Sequence, residues 1–335
     1  MNLKSGFLLF LFGLLAGCST EIGLIVPGDP LPVVYCLLDP EDSVQYVRMG
    51  STYAVNPGDT SFKPGQEDIL IDEDIQVYLS AEYSTYAQEI FYGTLIDTIP
   101  KNSGWFPSSV NHLYAIRCVL QPGTRYSLYV HFLKTNRIIH AETGSFTSQF
   151  QVIDPEIVHG GEATLLPGID FFVRFNPAGS IFQSTMTFRY AENKEGAWTN
   201  HSLVFPQKFV FVFDKTVKYA EQRISGERFL IDVSRALKSD PAVRRVPLGL
   251  DFHVSCGGDD LALKINAENN TQSFSILEVN SFDNAIGVFS CLSHSYVRNV
   301  PLSRFTIDTL ALGPITRGLG FMTAEQIDSL NYEPH

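Results

Sequence analysis

The chain has 335 residues, of which 44% are hydrophobic and 18% charged, with a formal net charge of −12. That composition belongs to a folded protein and excludes a disordered one, and the length beyond residue 17 accommodates two domains at about 100–200 residues each. The acidic balance excludes nucleic acid as a partner, because it repels phosphate, and Arg244-Arg245 is the one adjacent basic pair.

Residues 1–17 read as an export signal. Lys4 supplies the positive start, Phe7 to Leu15 is a short apolar run, and Leu15-Ala16-Gly17-Cys18 closes it with small residues. The run is too short for a membrane-spanning helix, which needs about 20 residues. Its ending resembles the bacterial lipobox. The resemblance implies that Cys18 is diacylated, becomes the mature N-terminus and holds the protein on a membrane through acyl chains. The alternative is an ordinary secretory signal. Residues 18–31, with Pro27 and Pro30, read as a tether that extends roughly 40 Å at most. Glu21 is the acidic residue directly after Cys18, short of a surface-export acidic run, so the leaflet stays open.

Residues 32–154 predict an immunoglobulin-like β-sandwich. Val33 to Leu38 is an apolar run of strand length, and Asp42 to Met49 alternates after a Pro-Glu-Asp turn, giving a hairpin-like opening. Residues 55–73 are rich in Gly, Pro and acids and read as a loop, after which Ile75 to Leu79 resumes the strand pattern. Leu120-Gln-Pro-Gly-Thr-Arg-Tyr126-Ser-Leu128-Tyr-Val130 resembles the tyrosine corner of fibronectin type III and related sandwiches. In that corner the tyrosine hydroxyl bonds back to the turn's backbone.

Residues 155–335 predict a second β-rich domain with one or two short helices. Strands are expected at Ile169–Phe175, Met186–Tyr190, Phe209–Phe213, Leu248–Cys256 and Leu261–Asn266. Phe229, Leu230, Val233 and Leu237 fit one helix face ended by Asp240-Pro241, and Thr323 to Gln326 has capping-box spacing.

With Cys18 assigned to lipid, Cys36, Cys118, Cys256 and Cys291 remain. In an exported protein their spacing suggests Cys36–Cys118 and Cys256–Cys291 disulfides, one per domain. Their apolar, strand-like surroundings equally suit four buried thiols.

Two stretches together carry a family resemblance. Val33-Val-Tyr-Cys-Leu-Leu-Asp-Pro-Glu-Asp-Ser-Val-Gln-Tyr-Val-Arg48 follows the lipobox closely, and Phe282-Asp-Asn-Ala-Ile-Gly-Val-Phe-Ser290 lies near the C-terminal end. The pairing resembles an uncharacterised family of Bacteroidota outer-membrane lipoproteins, except that Ala285 stands where the closing motif has a glycine. The resemblance implies outer-membrane anchoring and a place beside transporters or other surface machinery, and it supplies no catalytic residue.

Known chemistry-bearing motifs are absent. The chain has no G-x-S-x-G elbow, HExxH helix, phosphate loop, dinucleotide fingerprint or Cys/His pairing at zinc spacing, so no enzyme, cofactor or metal is expected. The eight histidines are dispersed and read as solvated or core-satisfied side chains, the alternative being that His131 and His140, which flank a turn, face each other across a hairpin. Glu67-Asp68, Asp72-Glu73-Asp74 and Gly257-Gly258-Asp259-Asp260 lack calcium-loop spacing and read as solvated acidic turns. Trp105 and Trp198 each sit among turn-forming residues and suit either contact with a sugar or protein partner or a lid over a core. The expected function is a non-enzymatic accessory or binding subunit of an outer-membrane barrel complex, such as a TonB-dependent transporter. A pilin or adhesin subunit, cut near Arg48, and a glycan-binding lipoprotein are the alternatives.

Overall fold

The computed structural model describes residues 31–51, 74–83, 87–96, 112–143, 150–154, 161–214, 216–269 and 281–330. The signal, Cys18, the tether up to residue 30, the 55–73 loop and Trp105 lie outside the described residues.

The first module is built from β1 (Pro32–Leu38), β2 (Val44–Ser51), β3 (Ile75–Glu82), β4 (Gln88–Ile96), β5 (His112–Arg117), β6 (Arg125–Phe132) and β7 (Arg137–Thr143). One layer has the order β1-β2-β5 and the other β4-β3-β6-β7, the strand arrangement of an immunoglobulin/fibronectin-III-like sandwich. Strand β4 joins the layers: Gln88 to Tyr92 pair with β3 and Gly93 to Ile96 with β5. At the changeover a Cβ on Gly93 would crowd Val77 O at 3.2 Å and Ile116 and Tyr114 at 3.3 Å, which explains the glycine.

Period-two alternation supplies the core of this module. Val34, Cys36 and Leu38 of β1 point inward with Val47, Val77, Leu79, Leu128, Val130 and Ile139. The tyrosine corner is present. Pro122-Gly123 makes a turn closed by the Thr124 N–H on Gln121 O, with Gly123 at φ 75°. The fully buried Tyr126 accepts the Gln121 N–H on its hydroxyl at 2.7 Å.

The second module contains β8 (Val152–Asp154), β9 (Asp170–Phe175), β10 (Ile181–Lys194), β11 (Ala197–Pro206), β12 (Val210–Phe211), β13 (Ala220–Ser225), β14 (Val243–Gly257) and β15 (Ile286–Val300). Its helices are α1 (Gly226–Ala236), α2 (Asp259–Asn269), α3 (Arg304–Leu312) and α4 (Ala324–Asp328). The antiparallel sheet β11-β10-β14-β15 buries one face against the small sheet β13-β9-β8 and against α1 and α3. Phe182, Phe188, Phe252, Phe175 and Phe229 fill that core. Ser225 caps α1 by accepting the Arg228 N–H, and Thr323 and Gln326 form the expected capping box on α4.

Three expectations for this module are corrected. Leu261–Asn266 is part of helix α2, because Asp259 and Asp260 open a first turn whose dipole their charges complement. The same carboxylates accept from Ser180 and Ser281, so the acidic turn is a structural joint. Phe209–Phe213 contributes only the two-residue β12, since just Val210 and Phe211 find partners on β10. Among the described residues there are four short helices rather than one or two.

Strand β15 binds the modules together. Its first half pairs in parallel with β1, from Val33↔Ile286 to Leu38↔Cys291, and its second half pairs antiparallel with β14. Phe282, Ala285, Phe289 and Cys291 therefore belong to the core of the first module, although they lie far beyond residue 154. Gly287 allows the contact. It holds φ 149°, and a Cβ there would sit 1.7 Å from Val34 O. The two stretches that carried the family resemblance are thus hydrogen-bonded neighbours.

All four described cysteines are buried thiols, and neither expected disulfide is formed. Cys36, Cys118 and Cys291 share the first core while Cys256 lies in the second, so the Cys256–Cys291 pairing would have joined different cores. Burial pushes the Cys118 thiol up to about 11, with Glu89 adding to the rise, and pushes Cys36 higher still.

Candidate functional site

Where β1 ends, its turn leans over the outer face of β14 and β15. Phe252, Val254 and Cys256 point into the core, so the alternate residues His253 and Ser255 must point outward. The ladder sets His253 opposite Tyr296 and Ser255 opposite His294, which gathers four polar side chains on one patch. Leu38 pairs with Cys291, so the chain leaving β1 carries Asp39 and Glu41 forward over that patch.

The β1–β2 turn is held rigidly. Gln45, only 1% exposed, accepts the Asp39 N–H at 2.8 Å and donates to the carbonyls of Asp39 and Asp42 at 3.0 and 2.8 Å. Asp39 Oδ1 in turn accepts the Glu41 N–H at 2.9 Å. This amide fixes where both acidic side chains begin.

Within the patch, His294 Nε2 lies 3.0 Å from Asp39 Oδ1. A carboxylate only accepts, so the ring hydrogen sits on Nε2 and the Nδ1 lone pair faces the other way. That Nδ1 is 3.0 Å from His253 Nε2 and 3.1 Å from Ser255 Oγ. Tyr296 donates to Glu41 Oε2 at 2.6 Å, and its ring stacks on His253 with centroids 4.4 Å apart and planes 5° apart. Burial, then the neighbouring His294, pushes His253 below the ordinary imidazole value, with Glu41 and Asp39 opposing them. Burial, then the hydrogen bond to Glu41, pushes the Tyr296 phenol up to about 12.

Two chemistries are compatible with these groups. Asp39, His294 and Ser255 form the row of a nucleophilic hydrolase. Ser255, however, sits inside a strand paired on both sides, to β10 and β15, where the ladder occupies the backbone donors. An acyl-transfer site needs such donors aimed at the developing oxyanion, and this strand's own are committed to the ladder. Cation ligation fits better. Glu41, His253 and His294 each offer a ligand atom, all within 4.8 Å of one another, the one such grouping among the described residues.

Spacing along the chain concealed this grouping, because the turn and the two strands come from distant segments. The legible signal was the alternation of His253 and Ser255 with Phe252, Val254 and Cys256, whereas His294 lies between Ser293 and Ser295 and shows no such contrast. The other singled-out residues go elsewhere. Trp198 lies in β11 rather than in a turn, half-buried against Ala191, Val246 and Met322. The turn before it is Glu195-Gly196, both at positive φ, as a two-residue hairpin requires. His131 bonds Asn136 while His140 stacks on Tyr129, so each has its own neighbour instead of facing the other. No family model matches this chain, and no curated protein matches it.

Proposed function

We propose that this chain is a lipid-anchored exported protein that serves as a non-enzymatic accessory or binding subunit beside an outer-membrane barrel, such as a TonB-dependent transporter. The observation that carries the reading is the place where the tether meets the body. The Leu-Ala-Gly-Cys18 ending is followed within a short tether by β1, and β1 lies in the middle of the long sheet, between β15 and β2. A chain held by acyl chains at Cys18 therefore presents both modules side by side to its neighbours. Restriction to the membrane plane raises its effective concentration for a partner there.

The outer face of the same strand pair supports a binding role. Tyr35, Leu37 and Tyr46 point outward at 36%, 42% and 42% exposure, with Arg48 opposite Tyr35, on the strand pair that follows the tether in the chain. The place of Ser255 inside a strand paired on both sides supports binding over hydrolysis. The alternatives find less support. Cleavage after Arg48 would release β1, the strand of the first module that β15 pairs with, which disfavours a strand-exchanging pilin. For a glycan reading, Trp198 is occupied with its own cluster. In the first module's ring row, Tyr78, Tyr129 and His140 stack on one another, with Tyr92 tilted against Tyr78, so most of these faces are taken up within the row.

Affinity purification of the full chain from native membranes tests the reading. A barrel protein that co-purifies with the wild type, and is lost with Cys18→Ala or with Leu37→Gln/Tyr46→Gln, supports it. Cys18→Ala that stays membrane-bound after a carbonate wash contradicts the lipid anchor.

A further inference from the structure

We propose that Glu41, His253 and His294 bind a single Zn2+ ion at the junction of the two modules. The site owes nothing to the lipid anchor, since all its groups belong to the folded body.

Three observations converge on a cation. First, two imidazoles on adjacent strands turn ring nitrogens toward each other at 3.0 Å, an approach that needs a proton or a cation between them. Second, Asp39 fixes the tautomer of His294, whose ring is only 7% exposed, so that Nδ1 is the nitrogen with the lone pair. A carboxylate on the far nitrogen of a ligating histidine is the usual outer support of a metal site. Third, Glu41 brings negative charge to the same point and has its own support in the Tyr296 hydroxyl.

The ligand set selects the ion. Two imidazole nitrogens and one carboxylate suit zinc with a fourth position left for water, whereas Mg2+ and Ca2+ take oxygen ligands. Two nitrogens on a tetrahedral zinc, each at about 2.05 Å, stand about 3.3 Å apart. The rings therefore need to part by only about 0.3 Å from their present spacing. Ser255 Oγ, 3.1 Å from His294 Nδ1 and 3.4 Å from His253 Nε2, is a hydroxyl close enough to hydrogen-bond the water. Because Glu41 comes from the first module and both histidines from the second, the ion clamps one to the other.

The test is titration of the full chain in detergent, stripped by chelator, with Zn2+ in competition with a chromogenic zinc chelator. One equivalent is expected, with millimolar Mg2+ or Ca2+ unable to compete. His253→Ala and His294→Ala each weaken binding by about 100-fold or more, while Asp39→Asn, a positioning change, weakens it by about 10–100-fold and keeps the stoichiometry. His131→Ala and His201→Ala, outside the cluster, leave the affinity unchanged. Absence of stoichiometric binding, or unchanged affinity in both His253→Ala and His294→Ala, overturns the proposal. Should those variants fail to fold, the wild type decides it. Zn2+ should slow carbethoxylation of His253 and His294, read by mass spectrometry, and not that of His131 or His201. Equal modification with and without Zn2+ overturns it as well.

Discussion

His294 and Asp39 stand 255 positions apart in the chain, yet their Nε2 and Oδ1 atoms share a 3.0 Å hydrogen bond. The bond exists because β15 first pairs with β1 and then continues beside β14, delivering His294 just beyond the point where β1 turns away. It is one of the links that make two modules a single unit. Replacing Asp39 with Ala removes the acceptor for His294 and for the Glu41 N–H together, and leaves a buried ring donor unmet. The expected loss is about 2 kcal/mol, read from urea unfolding of the variant against the wild type.

Gly287 carries the parallel pairing. A side chain there meets the Val34 carbonyl at 1.7 Å and must hold φ 149°, so Gly287→Ala should cost about 3 kcal/mol or more and separate β15 from β1. Gly196→Ala is the matched control. It shares a positive φ of 90° but meets no atom within 4 Å, and should cost about 1 kcal/mol. Thermal melts of the two variants distinguish a steric joint from a merely conformational one.

Tyr126→Phe tests the corner. The substitution keeps the ring in the core and deletes the hydroxyl that accepts the Gln121 N–H. A loss of about 1–2 kcal/mol is expected with an unchanged β signature in circular dichroism.

Alkaline pH should destabilise the fold through the buried thiols. Cys118 rises from 9.0 to about 11 on folding, and Cys36 rises further. Above about pH 9 the unfolded thiols release protons that the native ones retain, so the unfolded state binds fewer protons and stability falls as pH rises. Urea midpoints should drop between pH 8 and pH 10, and Cys36→Ala/Cys118→Ala should flatten that drop. In the same samples an alkylating reagent should label Cys36, Cys118, Cys256 and Cys291 after unfolding without reductant, and spare them in the native chain.

Much of the first module could be read directly from the chain. Alternation in Asp42–Met49 and the Pro122-Gly123…Tyr126 corner are local patterns with local causes, and they led to the sandwich. Helix α1 was readable for the same reason, from the spacing of Phe229, Leu230 and Val233. Leu261–Asn266 misled because a short segment with every second residue apolar satisfies a strand pattern, and the acids that start the helix stand outside it. Beyond the alternation at His253 and Ser255, the site was illegible because its ligands come from a turn and two strands. Only the β1–β15 register, permitted by Gly287, brings Glu41 over His253 and His294.

The most direct test of that register and of the site within it is anomalous diffraction at the zinc edge, from crystals of the full chain grown with Zn2+. A zinc ion held by this register gives one strong peak within about 2.3 Å of both His253 Nε2 and His294 Nδ1, with the Glu41 carboxylate facing it. A map with no peak between those nitrogens, or with these three side chains apart, would contradict it.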